Sequence, residues 1–276
     1  MRLASAALLA TALIGLSAVA ADGYQSPYSL KYNHPLESLI GDLQKTPRGD
    51  PKLTAEIPFH EWYSTATRSK FGAWGPQRRT YPEPVEWPRW NASFKRERII
   101  ATAARLIGHG YQHHHVPDWN PPQGWPWKET AVGRNGPGVD CSNLTAFTYD
   151  QAAGILLDGD VHKQAEMREA RQGNGRLPAT RITLPGSLEE RAAALRTGDL
   201  LYVRNKSGSI SHVVLWVGGI GADAAGKPVH LVLDSHGEGE KDDAGKPIPV
   251  GVRLRPYRAG EWYHKSASHA VRYIPD

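Results

Sequence analysis

From Asp199 onward the chain offers strands and turns and almost nothing else. The segments DLLYVR (199–204), HVVLWVG (212–218), VHLVLDSH (229–236), VGVRLRPY (250–257) and HAVRYIP (269–275) are short. They are rich in Val, Leu and aromatics, and Gly, Asp, Lys and Pro separate them, which is how antiparallel strands with tight turns read. Helical patterns come before them. KRERIIATAARLIGHG sets Ile99, Ile100, Ala103, Leu106 and Ile107 on one helical face with charges opposite, and Gly108 and Gly110 close it. Leu144 and Phe147 recur at helical spacing after Cys141, so a helix is expected to start at or just before that residue. SLEERAAALRTGD has Ser187 and Glu190 in capping-box spacing, then a short helix to about Leu195. Helices first and a meander afterwards give an α+β fold, with N-terminal helices packed on a five- to six-stranded antiparallel sheet.

Upstream, MRLASAALLATALIGLSAVAADG carries Arg2, an apolar run and Ala18-Val19-Ala20. This is the pattern of a cleaved signal peptide over residues 1–20, and it implies export to the periplasm or beyond. The run is short for a membrane span, and no other stretch approaches spanning length. Residues 21–94 are rich in Pro, Trp and Tyr, as in FHEWYSTATRSKFGAWGPQRRTYPEPVEWPRWNASF. The prolines forbid long helices and central strands, and the aromatics argue against plain disorder. An irregular extension packed on the main domain, 95–276, is expected. No internal repeat or low-complexity tract stands out. The formal charge of +5 suits an anionic partner such as cell-wall polymer, and no Lys/Arg block argues for nucleic acid.

The chain holds a single cysteine, Cys141, within GVDCSNLTAFTYD. Disulfides within the chain are therefore impossible. In an exported protein a leftover cysteine is an intermolecular partner, a reactive thiol or a buried small hydrophobe. A helix start favours the reactive reading, because unpaired N–H groups and the helix dipole stabilise an anion there, and the thiolate is the nucleophile. Asp140 opposes that charge, so its expected part is to orient backbone or cap the helix.

A thiolate nucleophile needs a base, and the base needs a third group to hold its tautomer. His212 opens an apolar strand in the sheet that would face the Cys141 helix. On the next strand LVLDSHGEG offers Asp234 and His236, which strand alternation sets on one face. Both remain candidates for the third position.

Four stretches in this order, RIIATAARLIGHGY, GVDCSNLTAF, LRTGDLLYV and ISHVVLWVG, resemble the NlpC-type cell-wall cysteine peptidases, a compact branch of the papain-like fold. The likeness runs over about residues 95–240. It implies Cys141 as nucleophile, His212 as general base and then acid, and a polar third residue, with His236 ahead of Asp234. It implies substrate contacts from Tyr111, Asp140, Ser142, Ser211 and Asp234, and an oxyanion hole of backbone N–H groups near Cys141. Three residues depart from the family pattern. Asn143 and Val214 stand where it has Gly, and Thr197 where Pro is common.

The run His113-His114-His115 with Asp118 nearby lacks the helix-spaced pair of a zinc site, so no metal and no cofactor is expected. EGEKDD (238–243) lacks calcium-loop spacing and reads as a solvated turn. Asn91, Asn143 and Asn205 sit in Asn-Xaa-Ser/Thr triplets, and none reads as a glycan site. The functional expectation is a monomeric exported cysteine hydrolase cutting peptidoglycan stem peptide, with the D-glutamyl–diamino acid bond favoured by the resemblance. The alternatives are an acyltransferase or other amidase on the same fold, and a non-catalytic wall-peptide-binding protein.

Overall fold

The computed structural model describes residues 24–44, 65–66, 80–111, 139–237 and 240–276. The signal-peptide segment, the His113–His115 run, Asp118 and much of the Trp-rich stretch lie outside them.

The central element is a buried helix. Asp140 is its N-cap, accepting from Asn143 N, and Gly154 ends it in the left-handed conformation at φ 65°. Between them Cys141–Ala153 (α3) is buried along its whole length. A helix with no solvent face needs cover on every side. A long helix, Ala92–Ala104 (α2), supplies one side. Its N-cap Asn91 accepts from Phe94 N at 2.8 Å, and it starts three residues before the expected Lys95. The main sheet supplies another.

That sheet has six strands: Thr180–Ile182 (β5), Leu200–Arg204 (β6), Ile210–Trp216 (β7), Leu231–His236 (β9), Gly251–Pro256 (β10) and Ala267–Arg272 (β11). Their order is β10-β9-β7-β6-β11-β5, and every pairing is antiparallel. The five strands expected from sequence are all present. β5, too short and polar to stand out, joins at the edge. Pro256 closes the other edge strand, where its missing N–H costs no ladder bond. Val213 and Leu215 of β7 join the cluster containing α3, while Val214 and Trp216 join a second cluster with Leu201, Val203, Val232 and Tyr257.

Smaller elements complete the domain. Ile155–Leu156 (β2), Glu169–Gln172 (β3) and Gly175–Pro178 (β4) form a separate antiparallel sheet, with Val161–Glu166 (α4) between its first two strands. Leu188–Ala194 (α5) carries the expected capping residues. Ser187 Oγ accepts from Glu190 N at 3.2 Å and donates to the Glu190 carboxylate at 2.8 Å. Trp262–Ser266 (α6) leads straight into β11.

The two larger described pieces before α2 lie against the domain through buried charges. Ser29–Leu30 (β1) pairs with Gly221–Ala222 (β8), and Leu36–Gln44 (α1) follows. Glu97 of α2 accepts from Asn33 N, Asn33 Nδ2 and His34 N at 2.8–3.1 Å. Arg98 binds Asp42 with both guanidinium nitrogens at 2.7 and 2.8 Å and reaches Ala152 O of α3. Asp150, inside α3, accepts from Tyr81 N at 2.9 Å. The charged face of α2 is therefore covered rather than solvated.

The chain also contains a short echo that the sequence reading passed over. Asp-Xaa-Ala-Gly-Lys-Pro occurs at 223–228 and again at 242–247. The two copies fold alike: each Asp Oδ1 accepts from the Ala and Lys N–H groups, and each Gly has φ near +77°. Residues 24–31 lie across both turns. Lys31 Nζ meets Gly226 O, and Tyr24 OH meets Asp242 Oδ2.

Candidate active site

Cys141 sits at the first turn of α3, and that turn is locked from several directions. Asp140 Oδ1 accepts from Asn143 N and Asn143 Nδ2, both at 2.9 Å, and more distantly from Ser142 Oγ. Ser142 Oγ donates to Gly159 O at 2.7 Å. Ser235 Oγ of β9 donates to Val139 O, tying the residue before the cap to the sheet. The thiol is thus a buried side chain on a rigid support.

The β7–β9 ladder pairs Leu215 with Leu233 and Trp216 with Val232, and there it stops. The same register continued would face His212 with His236 and make Asp234 the diagonal neighbour. Diagonal neighbours lie within reach of longer side chains. His212 Nε2 donates to Asp234 Oδ2 at 2.6 Å. The other ring nitrogen is left for Cys141, with which His212 also shares a side-chain hydrogen bond. The Cys141, His212 and Asp234 side chains therefore form one line.

His236 takes a different place. Its ring lies beside His212, with centroids 4.9 Å apart, and stacks on Trp262 at 5.0 Å and 10°. Its Nδ1 is buried and has no hydrogen-bond partner among the described residues. The ordering that put His236 ahead of Asp234 as partner of the imidazole is reversed. The reason is electrostatic. Burial lowers the His236 pKa to about 4 in spite of the Asp234 charge, so the ring stays neutral. A carboxylate gives an imidazolium a charge-assisted bond that a neutral ring cannot match.

Asp234 is fully buried and must be compensated there. Arg255 Nη1 donates to its Oδ1 at 3.0 Å, and Tyr263 OH donates to its Oδ2 at 2.8 Å. Burial alone would raise the Asp234 pKa. Arg255, His212 and His236 overcome that and hold it well below the usual carboxylate range. Burial alone would lower the His212 pKa. The Cys141 thiolate and the Asp234 carboxylate reverse this and push it up to about 10. A protonated imidazole beside Cys141 is thereby favoured at neutral pH.

Tyr111, just after α2, is half-buried, and its hydroxyl is pushed up by burial first and then by the Cys141, Asp140 and Asp234 charges. It stays a neutral donor beside the thiol. Ser211 precedes His212 and is exposed; no β6–β7 partner pairs with it, and the register shifts at that point. Ser142 and Asp140 spend their side chains on the helix start, not on open space.

Sequence reasoning missed Arg255, Tyr263 and Trp262. The arginine had a signal. VGVRLRPY alternates apolar residues with Arg253 and Arg255, and an arginine inside a strand next to LVLDSH asks for a buried carboxylate. Tyr263 had none, because α6 is five residues long.

Residues 128–230 match the model of the NlpC/P60 family. No curated protein matches the chain. Among solved structures it is similar to an NlpC/P60 family protein from Bacillus cereus ATCC 10987, at 18% identity and a TM-score of 0.38 over 70% of this chain. The chain spans 42% of that protein's length. It is also similar to the NlpC/p60 domain of the peptidoglycan hydrolase SagA. That match has 20% identity and a TM-score of 0.33, over 63% of this chain and 95% of that domain.

The departures from the NlpC/P60 pattern have local explanations. Asn143 supplies a second donor to the capping carboxylate. Val214 is buried in the second cluster opposite Leu201. Thr197 Oγ1 donates to Val217 O at 3.0 Å, a bond proline could not make. Among the described residues no group of three or more His, Cys, Asp or Glu could hold a metal ion, and no helix is long and apolar enough to cross a membrane.

Proposed function

We propose that the protein is a cysteine hydrolase acting on an amide bond of peptidoglycan stem peptide. The observation that carries this reading is the buried Cys141–His212–Asp234 constellation, in which the imidazole bonds the carboxylate on one side and meets the thiol on the other. The Cys141 thiolate attacks the amide carbonyl carbon, and backbone N–H groups at the start of α3 receive the developing oxyanion. The His212 imidazolium gives its proton to the leaving amine, and an acyl-enzyme thioester remains. His212, now neutral, takes a proton from water, which attacks the thioester and releases the acid and the thiol. Asp234 keeps the imidazole in the tautomer whose free nitrogen faces sulfur. Tyr111 offers substrate a neutral hydroxyl beside the nucleophile.

The substrate assignment draws on the NlpC/P60 match and on the SagA domain, which belongs to a peptidoglycan hydrolase. The narrower choice of the D-glutamyl–diamino acid bond rests on the sequence resemblance, export on the signal-peptide pattern of residues 1–20, and the division at residue 94 on the change of composition there. Mass spectrometry of digested peptidoglycan tests the reading. A free acid and a free amine at one stem-peptide bond support it. A transferred acyl group in the products replaces hydrolysis with acyl transfer.

A further inference from the structure

We infer that Tyr263 is a positioning residue for the reaction proposed above. Its hydroxyl donates to the same carboxylate oxygen that receives His212, so it fixes the rotation of Asp234 and sets how tightly that oxygen holds the imidazolium. The inference rests on the function proposed above.

The geometry leaves the carboxylate little freedom. Oδ1 is held by Arg255, whose other nitrogen donates to Pro249 O at 2.9 Å. Oδ2 receives two donors from opposite elements, His212 Nε2 from β7 at 2.6 Å and Tyr263 OH from α6 at 2.8 Å. The phenol is itself enclosed. Its side chain is 2% exposed, and its ring lies 6.3 Å from that of His212. Its helix is anchored at the N-cap, where the Glu261 carboxylate takes two contacts from Arg258 Nη1 at 3.1 Å. Arg258 reaches back to Tyr28 OH at 3.3 Å. Burial and the Asp234 charge push the Tyr263 hydroxyl far up, so it remains a donor throughout the working range.

A hydrogen bond to a carboxylate spreads its charge and weakens its grip on any other donor. Removing the Tyr263 hydroxyl therefore leaves Oδ2 more basic and His212 more firmly protonated. The groups that bear on His212 come from several elements: Cys141 on α3, Asp234 and His236 on β9, Arg255 on β10 through Asp234, and Tyr263 on α6. Tyr111 and Glu240 are coupled to Asp234 from the two flanking loops. Among the described residues only Tyr263 adds a neutral donor to the oxygen that His212 uses.

The test is the rate of iodoacetamide alkylation of Cys141 against pH, in the full chain and in Tyr263→Phe. The wild type is expected to show a step at alkaline pH where His212 loses its proton. In Tyr263→Phe that step moves upward by about half a pH unit, and kcat on peptidoglycan falls several-fold with KM unchanged. Circular dichroism establishes that the variant is folded. A step that stays in place or moves down in a folded variant overturns the inference and leaves the proposed function standing. A wild-type profile that is a single ordinary thiol titration, unchanged in His212→Ala, overturns both.

Discussion

The two neighbouring histidines should pull the protein's stability in opposite directions with pH, and His236 can be removed to show it. Both start from 6.5, and the fold moves His236 down to about 4 and His212 up to about 10. For His236 the unfolded chain takes its proton first as pH falls. Its contribution is present above 6.5 and is lost progressively toward pH 4. For His212 the folded chain holds its proton longer. Its contribution is full below 6.5 and is lost as pH rises through about 10. Each pH unit between folded and unfolded values is worth about 1.4 kcal/mol. Between pH 6.5 and 5 most carboxylates stay ionised in both states, so the His236 loss over that span is about 2 kcal/mol. His264 and His269, both lowered chiefly by burial, add slope of the same sign. The comparison with His236→Gln removes their share. Urea unfolding from pH 5 to 9 measures it. The variant should lose about 2 kcal/mol of the acid-side decline and keep the alkaline decline. An acid-side slope equal to that of the wild type would show that His236 titrates freely, and the account of why Asp234 holds the imidazole would fall with it.

Other predictions follow from single contacts. Asn143→Gly should keep the nucleophile in place yet cost about 1–2 kcal/mol of stability, through the lost bond to Asp140 and the added chain freedom; an unchanged urea midpoint contradicts the capping role. Gly251 has φ +97°, and an added Cβ would stand 2.1 Å from His109 O. Gly251→Ala should therefore lower stability by ~2 kcal/mol or more, and a neutral result in thermal unfolding refutes that packing. Alkylation of Cys141 at pH 6 should be at least about tenfold slower in His212→Ala, and equal rates would mean that the imidazole does not support the thiolate.

Much of the site was legible because its chemistry depends on residue type. Cys141 announced itself as the lone thiol at a helix start, and Asp140 as a cap, within one short stretch. His212 and the pair Asp234 and His236 followed from strand alternation. The choice within the pair was not legible, since alternation sets both on one face and only the register of β7 against β9 decides. That register makes His236 the facing neighbour and Asp234 the diagonal one, and the buried arginine then selects the carboxylate. Arg255 was visible but uninterpreted. Tyr263 comes from a single turn of helix with no periodic signal, and its role exists only through the crossover that carries the chain from β10 at the sheet edge back to β11 beside β6. The small sheet of β2, β3 and β4 was missed for a similar reason: its strands are two to four residues long and mostly polar on the outside.

The central claim is that Cys141 cuts a wall-peptide amide. Purified peptidoglycan digested with the wild type and with Cys141→Ala, with products identified by mass spectrometry, tests it most directly. The account predicts wild-type fragments ending in a free acid and a free amine at one stem-peptide bond, and none from Cys141→Ala. Equal digestion by both proteins, abolished by a chelator, would contradict it and assign the cleavage to a metal.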